Sequence, residues 1–391
     1  MRAKNNTLVL LSGCALVLLA ACKGPATGTG DGKDTLAAKA VTENLNPKNF
    51  EAVINGKNTK LYTLTNKSGA SVSITNYGGR VVSLMVPDKA GKLVDVVLGY
   101  NSVQTYQKKG EPYFGAIIGR YGNRIAKGKF TVGGKTYQAD VNDGFNTLHG
   151  GRKGFFGQVF DAEQSGQTLN LTYTSPDGEG GYPGKLTVKV TYTLTDDNAL
   201  KIDYTANTDK ETIVNLTNHA YFNLNGAGDS TILNNTLKIT ADGFIPVDTT
   251  LIPTGKIQPV KGTPFDFTTA KAIGKDIGTT DEQLKNGKGY DHNFVLNKND
   301  GSNPIAIANS PVTGITMEVY TVEPGLQFYS GNFLTGATHD GKGGKAYVLR
   351  SAFCLETQYF PDSPNQPAFP STVLKPGQTY HTSSTYKFLN K

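Results

Sequence analysis

The run KLTVKVTYTL, residues 185–194, alternates strictly: Leu186, Val188, Val190, Tyr192 and Leu194 share one parity, and Thr187, Lys189, Thr191 and Thr193 share the other. Side chains of an extended strand point to opposite faces in turn, so this pattern predicts a strand with one face in a core. Past the turn-forming Asp196-Asp197-Asn198, the residues Leu200, Ile202 and Tyr204 resume the phase, which predicts an antiparallel hairpin or meander. From residue 50 onward the same grammar recurs in short β-branched and aromatic runs between Gly, Asn, Asp and Pro clusters, as in ASVSITNYGGRVVSLMVPDKAGK. Helical turns are expected only around SVQTYQKKG and TAKAIGKDI. The chain therefore reads as all-β, and stacked, twisted sheets are the natural way for so many strands to bury their apolar faces.

A chain of 391 residues with 18 Phe and 19 Tyr can build one large core, and no change of composition divides it after the N-terminal region. The formal net charge of +7 is spread thinly, without a block of Lys and Arg that would follow a phosphate backbone, so nucleic acid is not an expected partner. Residues 1–22, MRAKNNTLVLLSGCALVLLAAC, combine a basic start at Arg2 and Lys4, an apolar stretch from Leu8 to Leu19, and small residues before a cysteine. That is the pattern of an export signal. The apolar stretch is shorter than the roughly 20 residues needed to span a bilayer as a helix. Leu19-Ala20-Ala21-Cys22 resembles the bacterial lipobox, which implies cleavage before Cys22 and a lipid on its sulfur; the alternative is an ordinary secretory cut near Ala21. The following KGPATGTGDGKDTLAAKA reads as a flexible tether. The expected organisation is a signal peptide over 1–21, a lipidated cysteine and tether over 22–46, and a single β domain over 47–391. The mature protein is expected to be exported and anchored by lipid to the bacterial cell envelope. Cys354 is then the lone cysteine of the body, so no disulfide is expected there.

Several polar constellations interrupt the strand grammar. FGAIIGRYGNRIAKG sets Arg120 and Arg124 around a Gly-Asn turn, where a guanidinium fork suits sugar hydroxyls or a carboxylate; the motif reads equally as a site or as a plain turn. NDGFNTLHGGRKGF carries His149 beside Gly150 and Gly151, a pair that would let backbone approach a ligand. In NLTNHAYFNL one parity (Asn215, Thr217, His219, Tyr221, Asn223) can hydrogen-bond throughout, which fits a wet outer face or a polar cleft centred on His219. GKGYDHNFVL contains Asp291 and His292, and EPGLQFYSGN contains Gln327. In YVLRSAFCLETQYFPDSPNQPAF, Ala352, Cys354 and Glu356 fall on one strand face; a carboxylate there is expensive to bury unless it is hydrogen-bonded or used as a base. The proline-rich FPDSPNQP could wall a pocket. The five histidines show no metal-ligand spacing, and neither G-x-S-x-G nor GxxxxGK[ST] occurs.

In order, GRYGNRI, NTLHGG, NLTNHAYFNL, PVDTTLIPTGKIQPVKGTPFDF, GYDHNFVL, EPGLQFYSGN and ETQYFPDSPNQPAFP resemble the aldose 1-epimerase (galactose mutarotase) family over about residues 50–390. The resemblance implies a large antiparallel β-sandwich with an open sugar cleft. It also implies interconversion of the α and β anomers of free aldohexoses such as galactose and glucose, without a cofactor. By family position Glu356 would be the general base and His219 the general acid. Asn123, Arg124, His149, Asp291 and Gln327 would bind sugar hydroxyls, with His149 also assisting at the ring oxygen. Two other readings use the same residues: a lipid-anchored sugar-binding module without turnover, and a glycosidase with Glu356 and Asp291 as its carboxylate pair.

Overall fold

The strand predicted from strict alternation forms over Leu186–Leu194, with its apolar parity buried and Thr187 and Lys189 exposed. It pairs antiparallel with Ala199–Thr208, Leu194 opposite Leu200, as the Asp-Asp-Asn turn foretold. The computed structural model describes residues 45–298 and 300–390. The expected signal peptide, the lipidated cysteine and all but the last two residues of the tether lie outside the described residues. The body begins with a 3-10 turn, Pro47–Phe50, in which Lys48 N–H donates to the Asn46 side-chain oxygen.

Every named strand pair is antiparallel. The hairpin belongs to a nine-stranded sheet that also holds the long strands Tyr380–Asn390 and Ile315–Thr321. A four-stranded sheet is built from Leu61–Thr65, Ser71–Thr75, Arg80–Pro87 and Leu93–Asp95. A five-stranded sheet runs Gln258–Pro259, Gly243–Phe244, Asp291–Val295, Gly325–Tyr329, Cys354–Gln358. One continuous core joins all three: Val72 and Leu84, Val188 and Ile202, and Phe294, Leu326, Phe328 and Leu355 belong to the same buried cluster. At about 1.5–3 kcal/mol for each large apolar side chain, this shared interior is what holds the layers together. The all-β, large-sandwich expectation stands.

Two local expectations resolve differently. SVQTYQKKG does contain a 3-10 turn, Thr105–Gln107. TAKAIGKDI instead supplies a short strand, Lys271–Ala272, to the nine-stranded sheet. The α-helix among the described residues is Glu282–Gly287, where Asp281 caps the N–H groups of Gln283 and Leu284. No helix among them is long and apolar enough to cross a membrane.

Candidate active site

Register on the five-stranded sheet sets the site. Gln327 lies opposite Glu356 on one side and Asn293 on the other, and Tyr329 lies opposite both Cys354 and Asp291. Side chains alternate across a sheet, so these residues share one face while Phe294, Leu326, Phe328 and Leu355 enter the core from the other. The polar face closes one side of a cleft of about 280 Å³ lined by Tyr113, Asn123, Arg124, His149, His219, Tyr221, Asp291, Tyr329, Phe333 and Glu356, among others.

Two backbone clips complete the cleft. Thr217–Asn218 pairs with Ile117–Ile118, and the His219 N–H and carbonyl engage Ala116 O at 2.8 Å and Gly115 N at 2.9 Å. The Arg124–Ile125 strand pairs with Thr147–Leu148, and Asn123, at φ 62°, donates its N–H to His149 Nδ1 at 3.2 Å. Arg124 Nε meets the Asp143 carboxylate at 2.8 Å.

At the centre, His219 Nε2 lies 3.7 Å from Glu356 Oε1. Both side chains are nearly sealed, at 6% and 2% exposure. Burial pushes the Glu356 carboxyl well above the usual range, with the Asp291 charge adding to the rise and Arg124 opposing it. Burial also pushes His219 down to about 3. The His149 imidazole is lowered by burial, then by His219 and Arg124. Asp291 is raised by burial, against Arg124 and a 2.7 Å hydrogen bond from Gln327 Nε2. Glu356 Oε2 has no hydrogen-bond partner among the described residues. Acceptors, donors and a closely spaced carboxyl–imidazole pair thus face one small space.

His149, His219 and Glu356 also offer ligand atoms within 4.8 Å of one another, a trio no sequence spacing announces. The Asn123 N–H already occupies the His149 Nδ1 lone pair. The neutral ring then carries its hydrogen on Nε2 and presents a donor there, which opposes a cation.

With this geometry in place, likeness to known proteins becomes informative. Residues 60–387 match the aldose 1-epimerase family. The chain belongs to that family. It is 46% identical to galactose mutarotase of Rattus norvegicus over 318 residues, covering 81% of this chain and 91% of the relative. It is 39% identical to aldose 1-epimerase of Escherichia coli K12 over 338 residues, covering 85% and 96%. Among solved structures, an aldose epimerase homologue from C. elegans superposes with a TM-score of 0.79 at 31% identity, covering 85% of this chain and 99% of that one. A galactose 1-epimerase from Lactobacillus acidophilus gives 0.75 at 30% identity, covering 86% and 96%.

The positions that family resemblance singled out converge, with one distinction. Glu356, His219, Asn123, Arg124, His149 and Asp291 all line the cleft, whereas Gln327 lies beneath Asp291 and holds its carboxylate. Other readings need correction. Arg120 serves neither a ligand nor its own turn: its guanidinium donates to Pro183 O and Gly184 O at 2.8 Å and to Ser175 Oγ at 2.6 Å, tying this loop to the 175–184 segment. Asn215 and Asn223 do not face the cleft. Asn215 bonds Gly122 O and both backbone groups of Tyr359, and Asn223 bonds Ser351 O. Gly150 brings backbone against Gly119 rather than a ligand: at φ +87°, a Cβ there would sit 2.1 Å from Gly119 O. FPDSPNQP lines no part of the cleft; Asp362 donates its N–H to Arg124 O and accepts from Ala126 N. His292 points into the core, near Phe265.

Tyr113, Tyr329 and Phe333 were not singled out in the sequence. Tyr329 was accessible there, two residues past Gln327 in an extended run. Tyr113 reaches the cleft from a loop at φ 64°, packs edge-on to His149 and has no periodic signal.

Proposed function

We propose that this aldose epimerase interconverts the α and β anomers of free aldohexoses, galactose and glucose among them, through Glu356 and His219 acting as base and acid. The observation that carries the reading is the 3.7 Å pair of buried side chains lining the cleft. Opening a pyranose requires removal of the C1 hydroxyl proton while the ring oxygen gains one. The pair holds one transferable proton. With the proton on His219 and Glu356 ionised, Glu356 takes the C1 hydroxyl proton and His219 Nε2 gives one to the ring oxygen. The free aldehyde turns about C1–C2 and closes from the other face with the roles reversed, so the site returns to its starting state. Asn123, Arg124, His149 and Asp291 supply donors and acceptors for the remaining hydroxyls, and Gln327 keeps Asp291 aimed. Gln327 Nε2 donates to Asp291 Oδ1 at 2.7 Å, which orients that carboxyl as an acceptor toward a sugar hydroxyl.

Polarimetry tests this directly. Fresh α-D-galactose or α-D-glucose should relax to equilibrium rotation faster with the protein, and Glu356→Gln should lose roughly 10²- to 10⁴-fold of that acceleration. A folded wild-type protein without effect on either sugar would favour a binding module instead.

The location is inferred from residues 1–22 alone. Cleavage before Cys22 and lipid attachment would hold the enzyme on the cell envelope by a tether. Metabolically supplied fatty acid should label the wild type but not Cys22→Ala, which should leave the membrane fraction; equal labelling of both would remove the anchor.

A further inference from the structure

We propose that Cys354 fixes the tautomer of His219: its sulfur accepts the Nδ1–H, so that Nε2 is the nitrogen that takes up and releases the proton. Cys354 Sγ lies 3.5 Å from His219 Nδ1, on the side of the ring away from the Glu356 contact. Strand alternation places Cys354 two residues before Glu356 on the same face, so one strand supplies both the base and the group that steadies the acid. The thiol is fully buried. The His219 backbone carbonyl is a second acceptor near the ring; it accepts from Gly115 N at 2.9 Å and keeps another lone pair, so it favours a hydrogen on the same, backbone-proximal nitrogen. The ring itself is held flat against Tyr221, with centroids 4.9 Å apart and planes 20° apart, so it cannot easily turn to exchange its nitrogens.

The consequence rests on the acid–base reading above. Through the whole reaction Nε2 must alternate between lone pair and N–H, which requires the second ring hydrogen to stay on Nδ1. In the opposite tautomer an N–H would face the protonated Glu356 and no proton could pass between them. A histidine is often oriented by a carboxylate, but an anion at Nδ1 stabilises the imidazolium and weakens it as an acid. Sulfur orients without that charge: burial raises the Cys354 thiol, so it stays neutral. A strongly acidic imidazolium is what a weakly basic ring oxygen needs.

The test combines ¹⁵N NMR of the His219 imidazole in the whole protein with mutarotation kinetics for wild type, Cys354→Ala and Cys354→Ser. The wild type should show a protonated Nδ1 and an unprotonated Nε2 near neutral pH. Cys354→Ala should populate the other tautomer and lower kcat roughly 3- to 10-fold, the worth of one weak hydrogen bond, with KM nearly unchanged. Cys354→Ser, whose hydroxyl oxygen can accept, should recover most of kcat and the wild-type tautomer. A wild-type ring protonated on Nε2, or an alanine variant that keeps both tautomer and kcat, overturns the proposal. The tautomer is read without turnover, so an inactive protein with Nδ1–H would count against the epimerase reading and not against this one.

Discussion

At the scale of single residues, Glu356 and His219 are a carboxyl and an imidazole that burial drives toward their uncharged forms, one upward and the other down to about 3. The neutral pair and the ion pair hold the same proton and differ only in which atom bears it, across 3.7 Å. Activity should therefore persist wherever the pair holds one proton in total. A second proton has to go onto His219, and the depressed value places that event far to the acid side of the ordinary 6.5. The last proton leaves Glu356 only well above the ordinary carboxylate range. A profile of kcat/KM from about pH 4 to 9 should accordingly be flat through pH 6.5 and fall on its acid side only well below it. An acid limb centred near 6.5 would mean that His219 titrates as a solvated imidazole and that its buried setting is not the working form. Removing the second carboxylate sharpens the reading. In Asp291→Asn the basic limb should move to lower pH, because the Asp291 charge raises Glu356.

Among the elements, those legible in the sequence are the ones whose two faces meet different surroundings. Leu186–Leu194 announces itself because its apolar parity is buried and much of the other meets water. The Cys354–Gln358 strand is buried on both faces, yet Glu356 still stood out, since an acid amid Ala352, Phe353 and Leu355 demands a purpose. Pairing is another matter. Asp291, Gln327 and Glu356 lie 36 and 29 positions apart, and only the register of three short strands makes them neighbours. No periodicity encodes that register; resemblance to a family supplied it. The polar parity of residues 215–223 misled for a related reason. A buried loop must satisfy its backbone groups, and Asn215 and Asn223 spend their amides on that while His219 and Tyr221 reach the cleft. Arg120 and Arg124 look alike in sequence and differ only in which way the turn aims them. One meets carbonyls, the other the cleft.

Across the whole molecule, the chain passes from the nine-stranded to the five-stranded sheet between Ile315–Thr321 and Gly325–Tyr329, and Glu323 sits in that crossing at 2% exposure. Burial raises its carboxyl to about 7, while hydrogen bonds from Thr382 and Tyr380 on the far strand oppose the rise. The Tyr380 hydroxyl also accepts from Leu216 N, so this one acid joins both layers to the segment that carries His219. An acid raised on folding binds more protons in the native state than in the unfolded one between its two values, here 4.5 and about 7. Stability must then fall as pH rises through that window and level off above it, by about 3 kcal/mol from this group. The buried histidines act oppositely: His219 and His292, both lowered to about 3, weaken the fold as pH drops below 6.5. The two trends overlap in the raw curve, so the difference between wild type and Glu323→Gln is the quantity to follow. In equilibrium urea unfolding the glutamine variant, neutral at every pH, should match the wild type near pH 4.5 and become the more stable of the two by about pH 8. A gap between them that does not change with pH would show that Glu323 crosses between the sheets already ionised, held by its hydroxyl partners against the cost of burial.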